Sequence, residues 1–585
     1  MKEDTMKTFI YFENQADFEP NLQPLDTSLD IFQRYDPPLK GYDIYAVNAN
    51  IGLPHKTVFC KNIYGNPFTL GERYQSKYFY NPFNVPYYKL KVPYSEINYV
   101  MASKEENYLN FTLGNQVSEG LYFGVDLNVE SGKGTFNNQR TANHHFRAVL
   151  LSSSRDGRYN LKFNYIHNRM KWGENGGLVN DAYYEDTTRL DRRILPVNLL
   201  NAANKIGSNS FSLSQTYLFN DSTHNRGGFV FDLDYSNVYR NYTDYDDVSN
   251  YYQNSFIDST LSFDSTNTKR FNAFFGWNRK ADSLGLSYKV GLNNSYVEYF
   301  TGKDLFTFNY LIPTAYIKYE THSFIINSSL KYYILQSDNA LAYNNNRLEA
   351  SASLTKGFGK AVLLNVEGKY FSGETELMNL KYYSNHYMWD NNFSRQNNFM
   401  INSVLDVKGY QLSAKLLNFN NYVYYTDSII PAQYRGNIGV TSLALAKEFR
   451  FKGFGSNVMA LYQNVDKDSI LRLPKFTARA SVFFSFPLFK GALSVHPGLD
   501  ITYLSPYYAD GYNPVAMVFY VQNDKRIDEQ IYVDLFINFK IKRARVFLMY
   551  KNINMLFGTY NYFMVLHYPQ QDPGIKIGMS WRFYD

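Results

Sequence analysis

The stretch that decides the fold runs from Ile531 to Ile541 and reads IYVDLFINFKI. Every second residue is apolar, and the residues between them are Tyr532, Asp534, Phe536, Asn538 and Lys540. Because successive side chains of a β-strand point to opposite faces, this period of two places the apolar set on one face and the mixed set on the other. The segment is therefore predicted to be a strand between an apolar and a polar environment.

The same alternation recurs in other parts of the chain, at 161–165, 229–236 and 284–293. No segment of comparable length carries a convincing helical stripe of apolar residues. The longest apolar runs are short and interrupted, so no helix is predicted to span a bilayer. The sequence therefore predicts an all-β protein.

The connections between these strands alternate in length. Short connections with turn chemistry fall at 155–158, 280–283, 320–322, 356–360, 408–410, 451–454, 489–491 and 542–544. Long polar connections fall between them, at 134–143, 169–205, 241–269, 336–346, 372–395, 422–435 and 505–528. A soluble sandwich has no reason to segregate loop lengths in this way, whereas a transmembrane barrel has tight periplasmic turns and long outer loops.

The segments between turns are about 10 to 14 residues long, enough to cross a bilayer at a tilt, which takes roughly 9 to 11. Counting hairpins back from the C-terminus gives about 22 strands, in a range of about 20 to 24 and an even number. The prediction is a large transmembrane antiparallel up-and-down β-barrel over 86–585. Residues 1–85 are irregular and proline-containing, and are expected to form a lumenal plug or to lie in the periplasm. Whether 42–53 and 56–64 add a hairpin is left open.

Composition excludes several other classes of protein. Of the 585 residues, 18% are aromatic, which a disordered chain would not carry. The single cysteine, Cys60, excludes a disulfide scaffold, and the net charge of +6 is small and scattered, so no nucleic-acid partner is expected. In a barrel, the many tyrosines find a place in the two interfacial girdles.

The last strand, 575–585, reads IKIGMSWRFYD and alternates apolar with polar residues. It looks like the terminal signal by which the outer-membrane assembly machinery recognises its clients, and the residues expected to carry that signal are Trp581, Phe583 and Tyr584. It departs from the commonest form of that signal in that Asp585 follows Tyr584.

Three further segments belong with this strand: GTFNNQRT at 134–141 with His145-Phe146, GRYN at 157–160 leading to ENGG at 174–177, and YKNIN at 550–554. With them the chain, from about residue 40 to its end, resembles the "putative porin" β-barrel family of Bacteroidota outer membranes. The resemblance implies an outer-membrane protein, with the lipid bilayer, lipopolysaccharide and the barrel assembly machinery as partners. Family members begin with a cleaved signal peptide, whereas residues 1–7 are charged and no apolar run succeeds them, so export is inferred from the barrel.

If the barrel is correct, function lies in its lumen. The residues predicted to face the lumen are Asp232, Asp234, Lys289, Asp534, Asn538, Lys540, Lys576 and Arg582. Mixed charges that line a water-filled bore screen solutes by size and field, which predicts a porin-like channel for passive diffusion of small solutes. An equally good explanation is that polar residues only keep a wide bore wet.

Catalytic and metal-binding patterns are weak in this sequence. The nine histidines are scattered, and strand geometry sends the adjacent pair His144 and His145 to opposite faces. We expect no catalytic residues, no metal site and no cofactor, hence no enzyme. Two alternatives to a passive channel stay open: an energy-coupled importer, which shares the strand number but needs a plug of well over about 100 residues, and a plugged barrel that is a structural or assembly subunit of an outer-membrane complex.

Overall fold

A computed structural model describes residues 8–12, 22–60, 65–82, 85–90, 92–186, 192–221, 224–245, 251–280, 285–338, 346–359, 361–558 and 561–584. Within this part of the chain, 22 antiparallel strands close into one barrel, as the alternation and turn spacing predicted. Each strand pairs with its neighbour in sequence, and the last strand pairs with the first.

The barrel strands are β1 (Tyr94–Ala102), β2 (Glu106–Ser118), β3 (Leu121–Gly132), β4 (Thr141–Ser153), β5 (Tyr159–Glu174), β6 (Ala202–Asp221), β7 (His224–Asp244), β8 (Ser262–Arg279), β9 (Leu286–Phe300), β10 (Leu305–Glu320), β11 (Phe324–Asp338), β12 (Arg347–Phe358), β13 (Val362–Gly373), β14 (Gln396–Val407), β15 (Tyr410–Tyr425), β16 (Pro431–Phe451), β17 (Phe454–Val465), β18 (Phe476–Phe484, continued by Phe486–Leu488), β19 (Leu493–Leu504), β20 (Gln530–Ile541), β21 (Ala544–Lys551) and β22 (Gly574–Tyr584).

Shorter elements lie outside the barrel wall. They are the strands Thr8–Phe12, Gln23–Pro24, Tyr45–Val47, His55–Thr57, Pro86–Leu90, Lys381–Tyr383, Met388–Asp390, Gly511–Asn513, Val518–Tyr520, Phe563–Val565 and Tyr568–Pro569, the helices Ala182–Glu185 and Leu377–Leu380, and the 3-10 turns Pro37–Leu39, Glu72–Gln75, Arg192–Ile194, Phe489–Gly491 and Ile553–Leu556. Among the described residues, no helix has the length and apolar character needed to cross a membrane.

The two faces of each strand follow the sequence pattern. On β20, Ile531 and Ile541 point outward and are 40% and 54% exposed, whereas the inward Phe536 and Asn538 are 1% and 0% exposed. The outward apolar side chains form the surface that meets lipid, and closure of the barrel pairs the backbone groups that a sheet edge would leave bare in the membrane. This is the period-two arrangement predicted from 531–541.

The barrel begins later than predicted, at Tyr94 instead of 86. Residues Pro86–Leu90 do form a strand, but it pairs with Thr8–Phe12 in a separate small sheet. Pro93 stands between this strand and β1, and a proline cannot donate a ladder hydrogen bond, so the two strands do not merge. The undecided hairpin exists as Tyr45–Val47 paired with His55–Thr57, outside the barrel wall.

The two ends of the barrel differ in the length of their loops. Short turns, such as 119–120, 408–409 and 542–543, lie at one end together with Tyr94 and Tyr584, the two ends of the barrel chain. By the convention of such barrels this end is periplasmic. The other end has the long connections, including 466–475 and 552–573, which were not among the long connections predicted from the sequence.

Candidate functional site in the lumen

The bore of the barrel is occupied by the chain's own N-terminal part, which we call the lumen segment (residues 22–60, 65–82 and 85–90). At the short-turn end, a Cβ added to Gly114 of β2 would lie 3.5 Å from the Cβ of Tyr88. At the long-loop end, the Asn50 amide donates to the carbonyl oxygens of Gly132, at 3.1 Å, and Gln139, at 2.9 Å. The lumen segment therefore reaches from one end of the barrel to the other.

A buried bidentate ion pair ties the lumen segment to β19. Arg34 donates from Nη2 to Asp500 Oδ1 at 2.8 Å and from Nε to Asp500 Oδ2 at 3.1 Å. The Gln33 amide donates to the same carboxylate at 2.7 Å. The Arg34 and Asp500 side chains are only 4% and 7% exposed, so this contact is shielded from water. On the neighbouring strand β18, Arg479 donates to the carbonyl oxygens of Leu39 and Gly41.

Three of the residues predicted to face the lumen bind this segment. The Asn538 amide donates to the carbonyl oxygen of Leu29 at 2.8 Å, and Lys540 donates to the carbonyl oxygen of Thr27 at 3.2 Å. Lys576 donates to the Tyr35 hydroxyl at 2.9 Å and to both carboxylate oxygens of Glu106 at 2.8 Å. These side chains do point inward, but they form hydrogen bonds to the lumen segment or to groups beside it and do not line open water.

The other two predicted residues on this side of the barrel bind elsewhere. Asp534 accepts a hydrogen bond from the backbone of Asn552 at 2.8 Å. Arg582 lies 3.1 Å from Glu96 of β1, across the closing seam of the barrel. Trp581 and Phe583, predicted to be part of the assembly signal, point outward, and each is 46% exposed. Tyr584 ends β22 opposite Tyr94, and the role of the three residues in assembly stays a prediction.

The long loops fold inward and cover the outer end of the lumen segment. Val515, Ala516 and Met517 of the connection 505–529 are fully buried. Ala516 and Met517 belong to one apolar cluster with residues of the lumen segment such as Tyr74 and Tyr78. Val515 belongs to a second cluster, with Tyr242 and Tyr252. His386 of the connection 374–395 lies 2.7 Å from the Asn254 carbonyl oxygen of the connection 245–261. Its Nε2 lies 2.6 Å from the hydroxyl of Ser262, the first residue of β8. That pair is buried and the amide of Asn385 also donates to the hydroxyl, so it serves to fasten the two loops.

A cavity of about 120 Å³ remains between residues 66–68 of the lumen segment and the inward faces of β7 to β12. The remaining three predicted residues, Asp232, Asp234 and Lys289, lie together on its wall. Lys289 pairs with Asp232 at 3.2 Å, and the Ser214 hydroxyl donates to Asp232 at 2.6 Å. Of the eight predicted lumen residues, three therefore bind the lumen segment, three line this cavity, and Asp534 and Arg582 bind other parts of the barrel.

The same cavity holds basic residues that sequence reasoning missed, namely Arg270, Lys331 and Arg347. Arg270 could have been found, because it precedes the outward alternation of Phe271 and Phe275. Lys331 is followed by two adjacent tyrosines, which blur the alternation. Among the described residues, no group of three or more His, Cys, Asp or Glu side chains is arranged to hold a metal ion.

A titratable carboxylate lies inside the lumen segment. The Tyr78 hydroxyl donates to Asp36 Oδ1 at 2.7 Å, and burial raises the pKa of the Asp36 carboxyl from 3.8 to about 6. The positive charge of Lys551 opposes that shift without cancelling it. Since the docked state binds the proton more tightly than the released state, Asp36 favours docking below pH about 4, and this contribution is lost as the pH rises through about 6.

The single cysteine offers a native reporter of docking. Cys60 packs against an apolar cluster that includes Phe371 and Met400, and burial raises the pKa of its thiol to about 12. A thiol in such a place reacts slowly until it is exposed, because the thiolate is the reactive form. Cys60 is half-buried, so an increase of its alkylation rate above that of the docked chain reports how often the lumen segment leaves its place.

We expect Asp36→Asn to remove the pH dependence that arises from Asp36, because the amide oxygen still accepts from Tyr78 and carries no proton equilibrium. The ratio of Cys60 alkylation in the native chain to that in the variant should rise by up to about tenfold between pH 5 and pH 7.5. Taking the ratio at each pH cancels the reagent's own pH dependence. A ratio that stays constant, or falls, would show that Asp36 does not control docking.

Comparisons with known proteins agree with this architecture. The family model described as "Putative porin" matches residues 6–585. Among curated protein sequences none matches the chain. The fold is similar to the FrpB iron transporter from Neisseria meningitidis (F5-1 variant), at 11% identity and a TM-score of 0.59, over 84% of this chain and 82% of that one.

Two further solved structures are similar in fold. The ferric yersiniabactin uptake receptor FyuA from Yersinia pestis has 12% identity and a TM-score of 0.58, over 84% of this chain and 80% of that one. The ferric-catecholate import receptor Fiu from K12 E. coli, in its closed form, has 10% identity and a TM-score of 0.56, over 92% and 87%. At these identities the likeness is one of fold alone.

Proposed function

The chain belongs to the "Putative porin" family, and from that membership we propose that it is an outer-membrane transport barrel gated by its own lumen segment. A barrel transport protein of the outer membrane is the part of this description that family and fold support directly. The proposal adds that small solutes cross only when the lumen segment moves, and that transport involves no covalent step. Its partners are the bilayer, lipopolysaccharide, the assembly machinery and the solutes themselves.

One observation supports gating above the others: the lumen segment reaches both ends of the bore, with Tyr88 near Gly114 at one end and Asn50 bound to the Gly132 and Gln139 carbonyls at the other. An unobstructed pore for passive diffusion would have its inward charges in water, whereas Asn538, Lys540 and Lys576 bind the segment. Passive diffusion through an open lumen stays an untested prediction. The energy-coupled importer also stays open, with the iron transporter and the two receptors as its analogues in fold only.

The test is a reversible lock on the lumen segment. A Cβ placed on Gly52 would lie 3.7 Å from the Cβ of Thr141 on β4, within the range of about 3.5 to 4.5 Å found in disulfides. The double variant Gly52→Cys with Thr141→Cys can therefore form a disulfide between the lumen segment and β4. Asn143→Ala removes the amide that would clash there, and Cys60→Ser removes the competing thiol. Gly52 has φ of +78°, and a cysteine there costs about 1–2 kcal/mol, which the cross-link offsets.

We expect proteoliposomes with the oxidised lock to release no small solute, and release to begin when the same protein is reduced. The reduced protein is the matched control, since it has the same sequence in the same membrane. A variant with only Asn143→Ala and Cys60→Ser controls for the reductant. Equal release from the oxidised and reduced forms would overturn gating by the lumen segment.

A further inference from the structure

The cavity beside β7 to β12 has an excess of positive charge. Four basic side chains line it, Arg270, Lys289, Lys331 and Arg347, against the two carboxylates Asp232 and Asp234. Lys289 is paired with Asp232 at 3.2 Å, and Arg347 with Glu349 at 3.2 Å. Among the described residues, neither Arg270 nor Lys331 has a carboxylate oxygen within 4.0 Å.

Each of the four basic groups lies over an aromatic ring. The distances to the ring centroids are 3.7 Å from Arg347 to Tyr333, 4.8 Å from Lys289 to Phe274, 5.7 Å from Lys331 to Tyr316, and 5.8 Å from Arg270 to Phe68. A ring face restrains a cation without using up its N–H donors. Lys331 also has a side-chain hydrogen bond with Tyr316, and Arg270 donates one to Asn66. Each keeps further N–H donors that a ligand can use.

The cavity is long and has an apolar side. On β10 it is lined by four successive inward residues, Tyr310, Ile312, Thr314 and Tyr316, which at about 3.3 Å per residue cover roughly 20 Å. Phe68 and Val297 add apolar surface near Arg270. Polar donors at separate heights with apolar surface between them fit a small organic molecule that carries more than one charged group.

We propose that this cavity binds small organic anions that carry carboxylate or phosphate groups, with Arg270 and Lys331 as the principal donors. The proposal deepens the proposed function and rests on it, since it names the solute class of the transport barrel. Arg270 also donates to Asn66 Oδ1 of the lumen segment at 2.6 Å. An anion bound at Arg270 competes for that donor, so occupancy of the cavity weakens a contact that holds the segment.

The test measures anion binding to the whole folded chain in detergent by titration calorimetry, with citrate as the carboxylate probe and inorganic phosphate as the phosphate probe. At low salt we expect at least one of them to bind, and to bind more weakly at high salt because screening weakens charge pairs. Lys331→Gln should lower the affinity about tenfold or more, since it removes a charge-assisted hydrogen bond. Arg270→Gln should do the same.

The matched control is Lys369→Gln. Lys369 lies on β13, is paired with Glu367 at 2.9 Å and does not line the cavity, so its loss should leave the affinity unchanged. Absence of binding by both probes, or equal losses in Lys331→Gln and Lys369→Gln, would overturn the proposal. Anion binding needs no movement of the lumen segment, so the calorimetry does not depend on the disulfide-lock experiment. A negative calorimetry result would contradict the anion site, whereas a negative solute-release result would contradict gating.

Discussion

Deleting residues 1–91 is expected to turn a closed barrel into a conducting one, with the conductance of single molecules in planar bilayers rising at least about tenfold. The deletion removes the lumen segment and keeps all barrel strands, which begin at Tyr94. Barrels of 16 to 18 strands already leave an aqueous channel, and a 22-stranded barrel is wider, so its bore conducts unless something fills it.

The control for this deletion is removal of residues 1–21 alone. This shorter deletion keeps all of the lumen segment and, among the described residues, removes only the strand Thr8–Phe12 that pairs with it, so the conductance should stay low. Folding of each variant is checked by its migration before and after heating, since intact barrels and unfolded chains migrate differently. If the folded deletion variant stays closed, the inward-folded loops such as 505–529 are sufficient to seal the barrel, and the lumen segment is not the gate.

The second large effect is expected from Asp500→Ala. The change leaves Arg34 buried without its bidentate partner, and Arg479 nearby loses a compensating charge. Breaking a buried ion pair in this way costs about 3–5 kcal/mol. Because the pair joins the lumen segment to the wall, the cost falls on docking and not on the strand pairing of the barrel. Alkylation of Cys60 should accelerate by about a hundredfold or more.

Two further variants make the Asp500→Ala result interpretable. Glu105→Ala removes a carboxylate whose partner Arg140 is exposed, and exposed pairs contribute about 0–1 kcal/mol, so alkylation should hardly change. The double change Arg34→Met with Asp500→Leu removes both charges and should recover part of the docking. Similar alkylation in Asp500→Ala and Glu105→Ala would mean that the Arg34–Asp500 pair does not hold the segment.

The barrel could be predicted from sequence because its signals are local. Alternation at 531–541 and the turn at 542–544 each depend on neighbouring residues, and a closed sheet repeats them strand after strand. The same alternation predicts an inward side chain for Asp232 and Lys289, and both line the cavity. That both residues line one cavity could not be predicted, because this depends on which strands face the same part of the lumen.

For the N-terminal residues the sequence left two places open, the lumen and the periplasm, because their contacts are not local. The segment has no periodicity, and its contacts are extremely non-local: Arg34 and Asp500 are 466 residues apart in sequence. Several of its bonds run to backbone carbonyls, as from Arg479 to Gly41, and any residue type would offer those acceptors. A sequence pattern cannot specify contacts of that kind.

The charges across the seam between β22 and β1 have a consequence for how the two ends of the chain are matched. Lys576 bonds Glu106 at 2.8 Å, Arg582 lies 3.1 Å from Glu96, and Arg545 of β21 lies 3.3 Å from the same Glu96. A slip of one residue at the seam would turn Lys576 and Arg582 toward lipid, at up to roughly 2–4 kcal/mol each and less toward the interfaces. It would also separate Lys576 from Glu106 and Arg582 from Glu96. The charges of the final strand thus help to select its alignment with the first strand when the barrel closes.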